Sequence, residues 1–171
     1  MKISRINDIT KIAVLVALLC AVSQISIPTP ILVPITLQAL MVALIGYLLS
    51  PIKALITIIA YILTGAIGVP VFANLNGGIG TLFGYTGGFI FGFLLLAFLC
   101  SLGKGKIRIF LGILGVILCH IIGVLQYSLV AKVSYFSSFL TTSLPYIFKD
   151  FALVILAYFL SLLINKKIKK S

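Results

Sequence analysis

Residues Ile107–Ala131 read IRIFLGILGVILCHIIGVLQYSLVA, an unbroken apolar run whose one charged side chain, Arg108, lies at its start. A helix needs roughly 20 apolar residues to cross about 30 Å of hydrocarbon. This run is longer than that minimum and has no charge in its interior. It is therefore predicted to form a transmembrane helix.

Five further apolar runs of helical length lie on either side of this stretch, at residues 12–27, 35–49, 52–69, 82–102 and 144–164. Pro28, Pro30 and Pro34 interrupt the chain between the first two runs, and Pro51 indicates a tight turn before the third. The sequence therefore predicts an all-α polytopic membrane protein, a bundle of six transmembrane helices, in which residues 1–171 form a single domain.

The composition supports a membrane protein. Of the 171 residues, 62% are hydrophobic and 9% are charged, and the mean hydropathy is +1.33, whereas a soluble domain carries about 25% charged residues. Six spans use about 120 residues and leave about 50 for termini and loops. Because so short a remainder cannot form a soluble catalytic domain, we expect no enzyme.

The basic residues are distributed unequally between alternate loops. One face carries 11 of them, and the other carries Lys132 and Lys149. The positive-inside rule therefore predicts a multi-pass protein of the cell membrane with both termini in the cytoplasm. The net charge of +11 then reflects topology rather than nucleic-acid binding. The predicted cytoplasmic set is Lys2, Arg5, Lys11, Lys53, Lys104, Lys106, Arg108, Lys166, Lys167, Lys169 and Lys170.

Asp150 is the only acidic residue within an apolar run. A carboxylate at that depth is costly and normally faces a cavity or a partner, although a structural hydrogen bond near the outer interface is an alternative. Its neighbour Lys149 is expected on a different helical face, since adjacent residues point about 100° apart. Asp150 is therefore the leading candidate for a functional role.

Several other polar or aromatic residues lie in or beside the apolar runs. Asn74 and Asn76 precede a Gly-Gly pair in a loop predicted to face outward, where they can line a small-molecule pocket or support turns. Tyr85 can stack on a flat ligand or anchor the chain at the interface. Gln38 favours a helix-to-helix hydrogen bond over a ligand contact.

His120 lies beside Cys119 within the longest run. A metal site needs three or four ligands, and a proton relay needs a chain of titratable groups, so we interpret His120 as a packing residue. Cys20, Cys100 and Cys119 all lie within apolar runs, and no two form a Cys-x-x-Cys pair. They are interpreted as small core residues, and neither a metal nor a cofactor is expected.

Ala13, Ala17 and Ala21 recur every four residues and place small side chains on one stripe of the first helix. Such a stripe can receive a partner helix or pack within the chain. The sequence contains no Gly-x-x-x-x-Gly-Lys-Ser/Thr loop for ATP, and one intramembrane carboxylate gives little basis for ion coupling. An energised transporter of this composition would therefore use a motor on another subunit.

Four segments form a recognisable pattern: PITLQ at 34–38, GAIGVPVFA at 65–73, GGIG at 77–80 followed by GYTGGF at 84–89, and LPY at 144–146 leading to Asp150. On these segments the chain resembles the BioY family, the biotin-specific substrate-binding (S) components of energy-coupling factor (ECF) transporters. The resemblance extends nearly end to end, and segment 65–73 is its most specific part.

The resemblance implies a six-helix membrane subunit that binds biotin, or a close vitamin relative, on the outer side. It also implies a transmembrane coupling subunit and two ATPase subunits as partners, with docking through the alanine stripe. Biotin's ureido ring offers two N–H donors and one carbonyl for carboxylate and amide groups, and aromatic rings can cover its fused ring. The side chains expected at the ligand are Gln38, Phe72, Asn74, Asn76, Tyr85, Tyr146, Lys149 and Asp150.

The chain departs from the family pattern near Asp150. The family usually has a Lys three residues after the Asp, whereas Leu153 stands there and Lys149 precedes the Asp. The ligand carboxylate would then be neutralised by Lys149, by Lys132 or by solvent. Two other functions stay open from the residues alone: a self-sufficient channel or proton-linked carrier using Asp150 and His120, and a membrane scaffold without a ligand.

Overall fold

A computed structural model describes residues 2–168, and these form a mostly helical structure. Its six long helices correspond to the six apolar runs. A hairpin, a 3-10 turn at Ala73–Leu75 and two short helices, α4 (Ile79–Leu82) and α7 (Tyr135–Thr142), lie between them. The long helices are α1 (Lys2–Ser23), α2 (Gln38–Leu48), α3 (Pro51–Ala66), α5 (Gly87–Ser101), α6 (Ile107–Ala131) and α8 (Leu144–Ile168).

The predicted helix boundaries are met at α6 and need correction elsewhere. The first helix begins ten residues before position 12, at Lys2, and ends at Ser23. The next residues leave the helix because β1 (Ser26–Ile27) pairs antiparallel with β2 (Ile35–Thr36), which also delays the start of α2. Helices α3 and α5 are shorter than predicted and α8 is longer. The tight turn at Pro51 is confirmed, with the proline in the first turn of α3.

The sequence analysis placed a loop where α7 is found. Ser134 caps this helix, since its hydroxyl accepts a hydrogen bond from the Ser137 N–H. The preceding helix α6 ends at Lys132, which adopts a left-handed conformation with φ of 56°. This segment lies between two of the predicted apolar runs, and it forms a short helix because Ser134 caps it and α6 and α8 pack against it.

Helices α5 and α6 make the most extensive contact in the described chain. A Cβ added to Gly92 would lie 2.7 Å from the Cα of Cys119, and one added to Gly115 would lie 3.0 Å from the Cα of Leu96. The two backbones therefore approach closely because these positions carry no side chain. This contact fixes the rotation of α6, and with it the direction in which its polar residues point.

One end of the bundle, called the basic end here, contains the start of α1, the start of α3 with Lys53 and the start of α6 with Arg108. Asp8 and Lys53 form an ion pair of 2.7 Å that joins α1 to α3. The Arg108 guanidinium donates to the carbonyl oxygens of Tyr47 (2.9 Å) and Cys100 (3.0 Å), so it satisfies the C-terminal ends of α2 and α5. Of the predicted cytoplasmic cations, Lys169 and Lys170 lie outside the described residues.

Three helical segments are long and apolar enough to cross a membrane: Ile6–Ser23, Ile107–Ala131 and Leu144–Lys167. Three further apolar helices are shorter: Gln38–Leu48, Pro51–Ala66 and Gly87–Ser101. They are shorter than predicted because the chain leaves the helix near the end opposite the basic end, where its loops cover a cavity. Within residues 2–168, six helices of full spanning length are therefore not found.

Candidate binding site

A cavity of about 360 Å³ opens at the end of the bundle where α2, α5 and α8 begin, called the cavity end here. Its walls come from α2, α5, α6 and α8, and the β hairpin and the loops around residues 72–76 and 80–86 cover it. All eight side chains expected at a ligand line this cavity: Gln38, Phe72, Asn74, Asn76, Tyr85, Tyr146, Lys149 and Asp150.

Asp150 lies in the second turn of α8, and its side chain is 14% exposed. The Nε2 atom of His120 lies 3.1 Å from its Oδ2 atom, and the Nζ atom of Lys149 lies 2.7 Å from its Oδ1 atom. The lysine contact is an ion pair, and Oδ1 makes no hydrogen bond with any of the described residues. A buried carboxylate oxygen in this state is an acceptor available to a ligand.

Lys149 contacts Asp150, which its expected position on a different helical face did not predict. The long lysine stem bends from its own face of α8, so that its ammonium contacts the carboxylate and also donates to the Thr36 carbonyl oxygen at 2.8 Å. Lys132, the other cation considered for a ligand carboxylate, is not among the residues that line the cavity, and Leu153 packs against the core. Lys149 is therefore the cation of the cavity wall.

The interpretation of His120 as a packing residue also needs correction. Its ring is buried and hydrogen-bonded, as expected of a packing histidine, but it also lines the cavity. This interpretation of His120 is incomplete, because α6 and α8 pack together and bring Asp150 to its Nε2 atom. On the other side of the ring, Nδ1 lies 2.9 Å from the Ser143 hydroxyl. The edge of Phe89 completes its surroundings.

Gln38 links three helices, as the sequence favoured. Its Nε2 atom donates to the Ser23 hydroxyl on α1 at 3.1 Å and to the Tyr61 hydroxyl on α3 at 2.9 Å. Those two hydroxyls lie 3.0 Å apart and complete a buried polar cluster. Gln38 therefore stabilises the helix packing at the floor of the cavity as well as lining it.

Asn74 and Asn76 make the turn-supporting contacts that were the alternative to ligand binding. Asn74 has φ of 59°, and its Oδ1 atom accepts from the Ser26 hydroxyl at 2.7 Å. Asn76 donates through Nδ2 to the Ala73 carbonyl oxygen at 3.0 Å. Both residues also line the cavity, and these bonds leave the Nδ2 atom of Asn74 and the Oδ1 atom of Asn76 for other partners.

Aromatic side chains form the apolar part of the cavity wall. Phe72 is 1% exposed and packs edge-on against Tyr61. Tyr85 is partly exposed near Tyr127, with ring centroids 5.5 Å apart. Tyr146 is buried and donates to the Val33 carbonyl oxygen at 2.9 Å. These rings offer flat apolar surface beside the polar cluster of Asp150.

Two glutamines that the sequence analysis did not single out hold the covering loops. Gln24, directly after α1, donates to the Phe72 carbonyl oxygen and accepts from the Leu75 N–H. Gln126 on α6 donates to the carbonyl oxygens of Leu82 (2.8 Å) and Gly84 (2.9 Å). Each could have been identified from the sequence as a lone amide near the end of an apolar run, because a side-chain amide that leaves water needs a hydrogen-bond partner.

The alanine stripe lies outside the cavity. Ala13, Ala17 and Ala21 are all exposed, so packing within the described chain does not account for them. The three cysteines are free thiols, with Cys100 and Cys119 buried. Among residues 2–168, no cluster of three or more His, Cys, Asp or Glu side chains is placed to hold a metal ion.

Together these side chains can bind a small molecule reversibly. Asp150 supplies an acceptor for N–H groups, the two asparagines supply a donor and an acceptor, and Lys149 supplies a positive charge. The volume and the mainly apolar wall are those of small-molecule sites.

Comparison with known proteins gives concordant matches. The family model described as BioY family matches residues 1–170. The chain is 35% identical over 144 residues to a probable biotin transporter BioY of Pyrococcus horikoshii, which covers 84% of this chain and 87% of that protein. It is 33% identical over 162 residues to the biotin transporter BioY2 of Lactococcus lactis, with coverage of 91% and 88%.

A solved structure has the same fold. It is a crystal structure of the S-component for biotin from an ECF-type ABC transporter, and it superimposes with a TM-score of 0.87. The alignment covers 100% of this chain and 95% of that chain, at 23% sequence identity. The S-component fold is therefore shared, even where the two sequences have diverged.

Proposed function

The chain belongs to the BioY family, and from this premise we propose that it is a membrane-embedded substrate-binding subunit that captures biotin for ATP-driven uptake by an ECF-type transporter. The curated relatives are biotin transporters, and the structural neighbour is the S-component for biotin of an ECF-type ABC transporter. These relatives support substrate binding over a self-sufficient carrier or channel using Asp150 and His120. The function involves binding and release, without covalent chemistry.

The observation that carries the proposal is the buried Oδ1 atom of Asp150 at the wall of the cavity, which lacks a hydrogen-bond donor among the described residues. A ureido N–H is a donor of the required kind, and its bond to a carboxylate is charge-assisted. Asn74 and Asn76 also line the cavity and offer an amide donor and an amide acceptor for the rest of the ureido group. Phe72, Tyr85 and the ring of Tyr146 cover the apolar fused ring.

Lys149 is assigned to the carboxylate of the ligand. In the structure its ammonium donates to the Thr36 carbonyl oxygen and forms an ion pair with Asp150, and at least one of its three N–H donors is left for a ligand carboxylate. It stands beside the β hairpin that covers the cavity, where the valeryl tail of biotin would leave the ring site. Lys149 thus takes the role of the cation that the family places three residues after the Asp.

The membrane arrangement follows from the distribution of charge and apolar surface. The described cations are concentrated at the basic end, and Ile121, Leu125 and Leu129 form an exposed apolar stripe on α6. We assign all six long helices to the cell membrane, with the basic end and both termini in the cytoplasm. The cavity then faces outward, and residues 1–171 act as one domain.

The exposed stripe of Ala13, Ala17 and Ala21 is assigned to the transmembrane coupling subunit. Small side chains let a partner helix approach the α1 backbone closely. The coupling subunit would connect this chain to two ATPase subunits, which supply the energy that no segment of this sequence provides.

The proposal is tested in two steps. The chain is purified in detergent without added vitamin, examined by native mass spectrometry for a bound molecule of the mass of biotin, and titrated with biotin by calorimetry. It is then reconstituted into liposomes alone and with an ECF coupling module. Biotin binding by the chain alone, with uptake only when the module and ATP are present, supports the proposal. Flux through the chain alone would favour the carrier, and absence of biotin binding would contradict the proposed ligand.

A further inference from the structure

At the cavity wall, a row of hydrogen bonds runs from Ser143 through His120 to Asp150. The Ser143 hydroxyl lies 2.9 Å from Nδ1 of His120, and Nε2 of the same ring lies 3.1 Å from Oδ2 of Asp150. Ser143 is fully buried and His120 is 5% exposed, so water does not compete for these bonds. Ser143 lies directly before α8, His120 lies on α6 and Asp150 lies in the second turn of α8, so the row links the two helices.

The donor and the acceptor of each hydrogen bond in this row can be assigned. A carboxylate oxygen can only accept, so Nε2 of His120 carries the proton and donates to Asp150. The Ser143 hydroxyl has one hydrogen-bond partner among the described residues, the Nδ1 atom of His120. It therefore donates to an unprotonated Nδ1 atom, since a proton there would leave the hydroxyl hydrogen without an acceptor. The ring is held in one tautomer and one orientation.

This arrangement makes the two oxygens of Asp150 unequal. Oδ2 is occupied by His120, while Oδ1 lacks a hydrogen-bond donor among the described residues and has only the ammonium of Lys149 nearby. Without the imidazole, the carboxylate would be free to rotate and to pair with Lys149 through either oxygen. His120 prevents that rotation.

We propose that His120, oriented by Ser143, is a positioning residue that holds Asp150 so that its Oδ1 atom is presented to a ureido N–H of the ligand. This rests on the proposed function, because the ligand is taken to be biotin. His120 sets the affinity for the ureido group through Asp150 and need not contact the ligand.

The experiment measures biotin affinity by calorimetry for the purified full chain and its variants. His120→Phe keeps a flat ring beside Phe89 but removes the donor, and it should weaken binding by about tenfold, the scale of a hydrogen bond to a charged group. His120→Gln retains an N–H donor and should recover most of that loss. Ser143→Ala should weaken binding by a smaller factor. Ser138→Ala, which removes a buried hydroxyl that bonds only to the Ser134 carbonyl oxygen, is the matched control and should bind as the wild type does.

A double-mutant cycle separates positioning from a merely structural role. In an Asp150→Ala background, His120→Phe should change the affinity by less than about twofold, because the group through which it acts is gone. Equal losses in both backgrounds, or wild-type affinity in both His120→Phe and Ser143→Ala, would overturn the proposal. If His120→Phe does not fold, Ser143→Ala carries the same cycle. A wild-type chain that does not bind biotin would instead contradict the proposed function and, with it, this inference.

Discussion

Lys149 and Asp150, consecutive residues of α8, form an ion pair of 2.7 Å at the wall of the cavity. The pair brings the only acid within an apolar run beside a cation that reaches back to the Thr36 carbonyl oxygen of the β hairpin. It therefore gives one wall of the cavity both a hydrogen-bond acceptor and a positive charge.

Asp150→Asn is expected to weaken biotin binding by about tenfold or more, since a hydrogen bond to a charged group contributes roughly 1.5–3 kcal/mol. Calorimetric titration of the purified variant checks this. Asp8→Asn is the matched control because it removes the other acid, at the basic end, where it pairs with Lys53. Unchanged affinity in a folded Asp150→Asn protein would make the carboxylate structural.

Lys149→Ala is expected to weaken the binding of biotin more than that of biotin amide, because only the acid loses an ion pair. Such pairs near water are often worth under about 1 kcal/mol, so the difference should be several-fold. Affinities of both ligands for both proteins give the ratio directly. Lys132→Ala, at the end of α6 and outside the cavity lining, is the control. Equal losses for acid and amide would remove Lys149 from the carboxylate site.

Replacing both Asn74 and Asn76 by Ala is expected to reduce affinity while expression stays intact, because the variant loses an amide donor and an amide acceptor of the cavity. Ser26→Ala is a useful comparison, since it removes the partner of Asn74 in the loop without touching the cavity lining. Binding and thermal stability are measured for both proteins. If both variants lower only the melting temperature, the asparagines support the turn alone.

Ala17→Leu is expected to abolish uptake by the assembled transporter and to leave equilibrium biotin binding near the wild-type value, with the same result for Ala13→Leu. A bulky side chain would hold the coupling helix away from the exposed stripe of α1. Uptake in liposomes and binding in detergent are compared. Ala152→Leu adds the same bulk at an exposed position of α8 and should leave uptake unchanged. Joint loss of uptake and binding would show that the stripe stabilises the chain itself.

Gly65→Ala is expected to lower the free energy of unfolding by about 1–3 kcal/mol, the usual cost of overpacking. Its Cβ would overlap the Phe72 ring at Cζ, so the ring would have to move from its place between the cavity and Tyr61. Thermal unfolding in detergent measures the effect. Gly80→Ala is the matched control, because its Cβ meets no atom within 4 Å. Equal melting temperatures would contradict the close contact.

The sequence by itself determined the number and order of the long helices. For α6 it also determined both ends. Hydrophobic length and proline placement act on each segment separately, so Ile107–Ala131 and the turn at Pro51 could be predicted without knowing any neighbour. The same reasoning identified Asp150, because the cost of burying a carboxylate depends on its own segment alone. Asn74, Asn76, Tyr85 and Gln38 were also singled out from the residues alone, whereas the family resemblance added Phe72 and Tyr146 and gave all of them a ligand.

Tertiary structure alone decided which of these residues meet. His120 and Asp150 are 30 positions apart, and they pair because Gly92 and Gly115 let α5 and α6 approach closely, which sets the rotation of α6 against its neighbours. Hydropathy carries no information on that rotation, since every side of such a helix is apolar. The 100° offset between neighbours on α8 also did not predict the contact between Lys149 and Asp150. The lysine side chain is flexible, and its position depends on the Thr36 carbonyl oxygen, to which it donates.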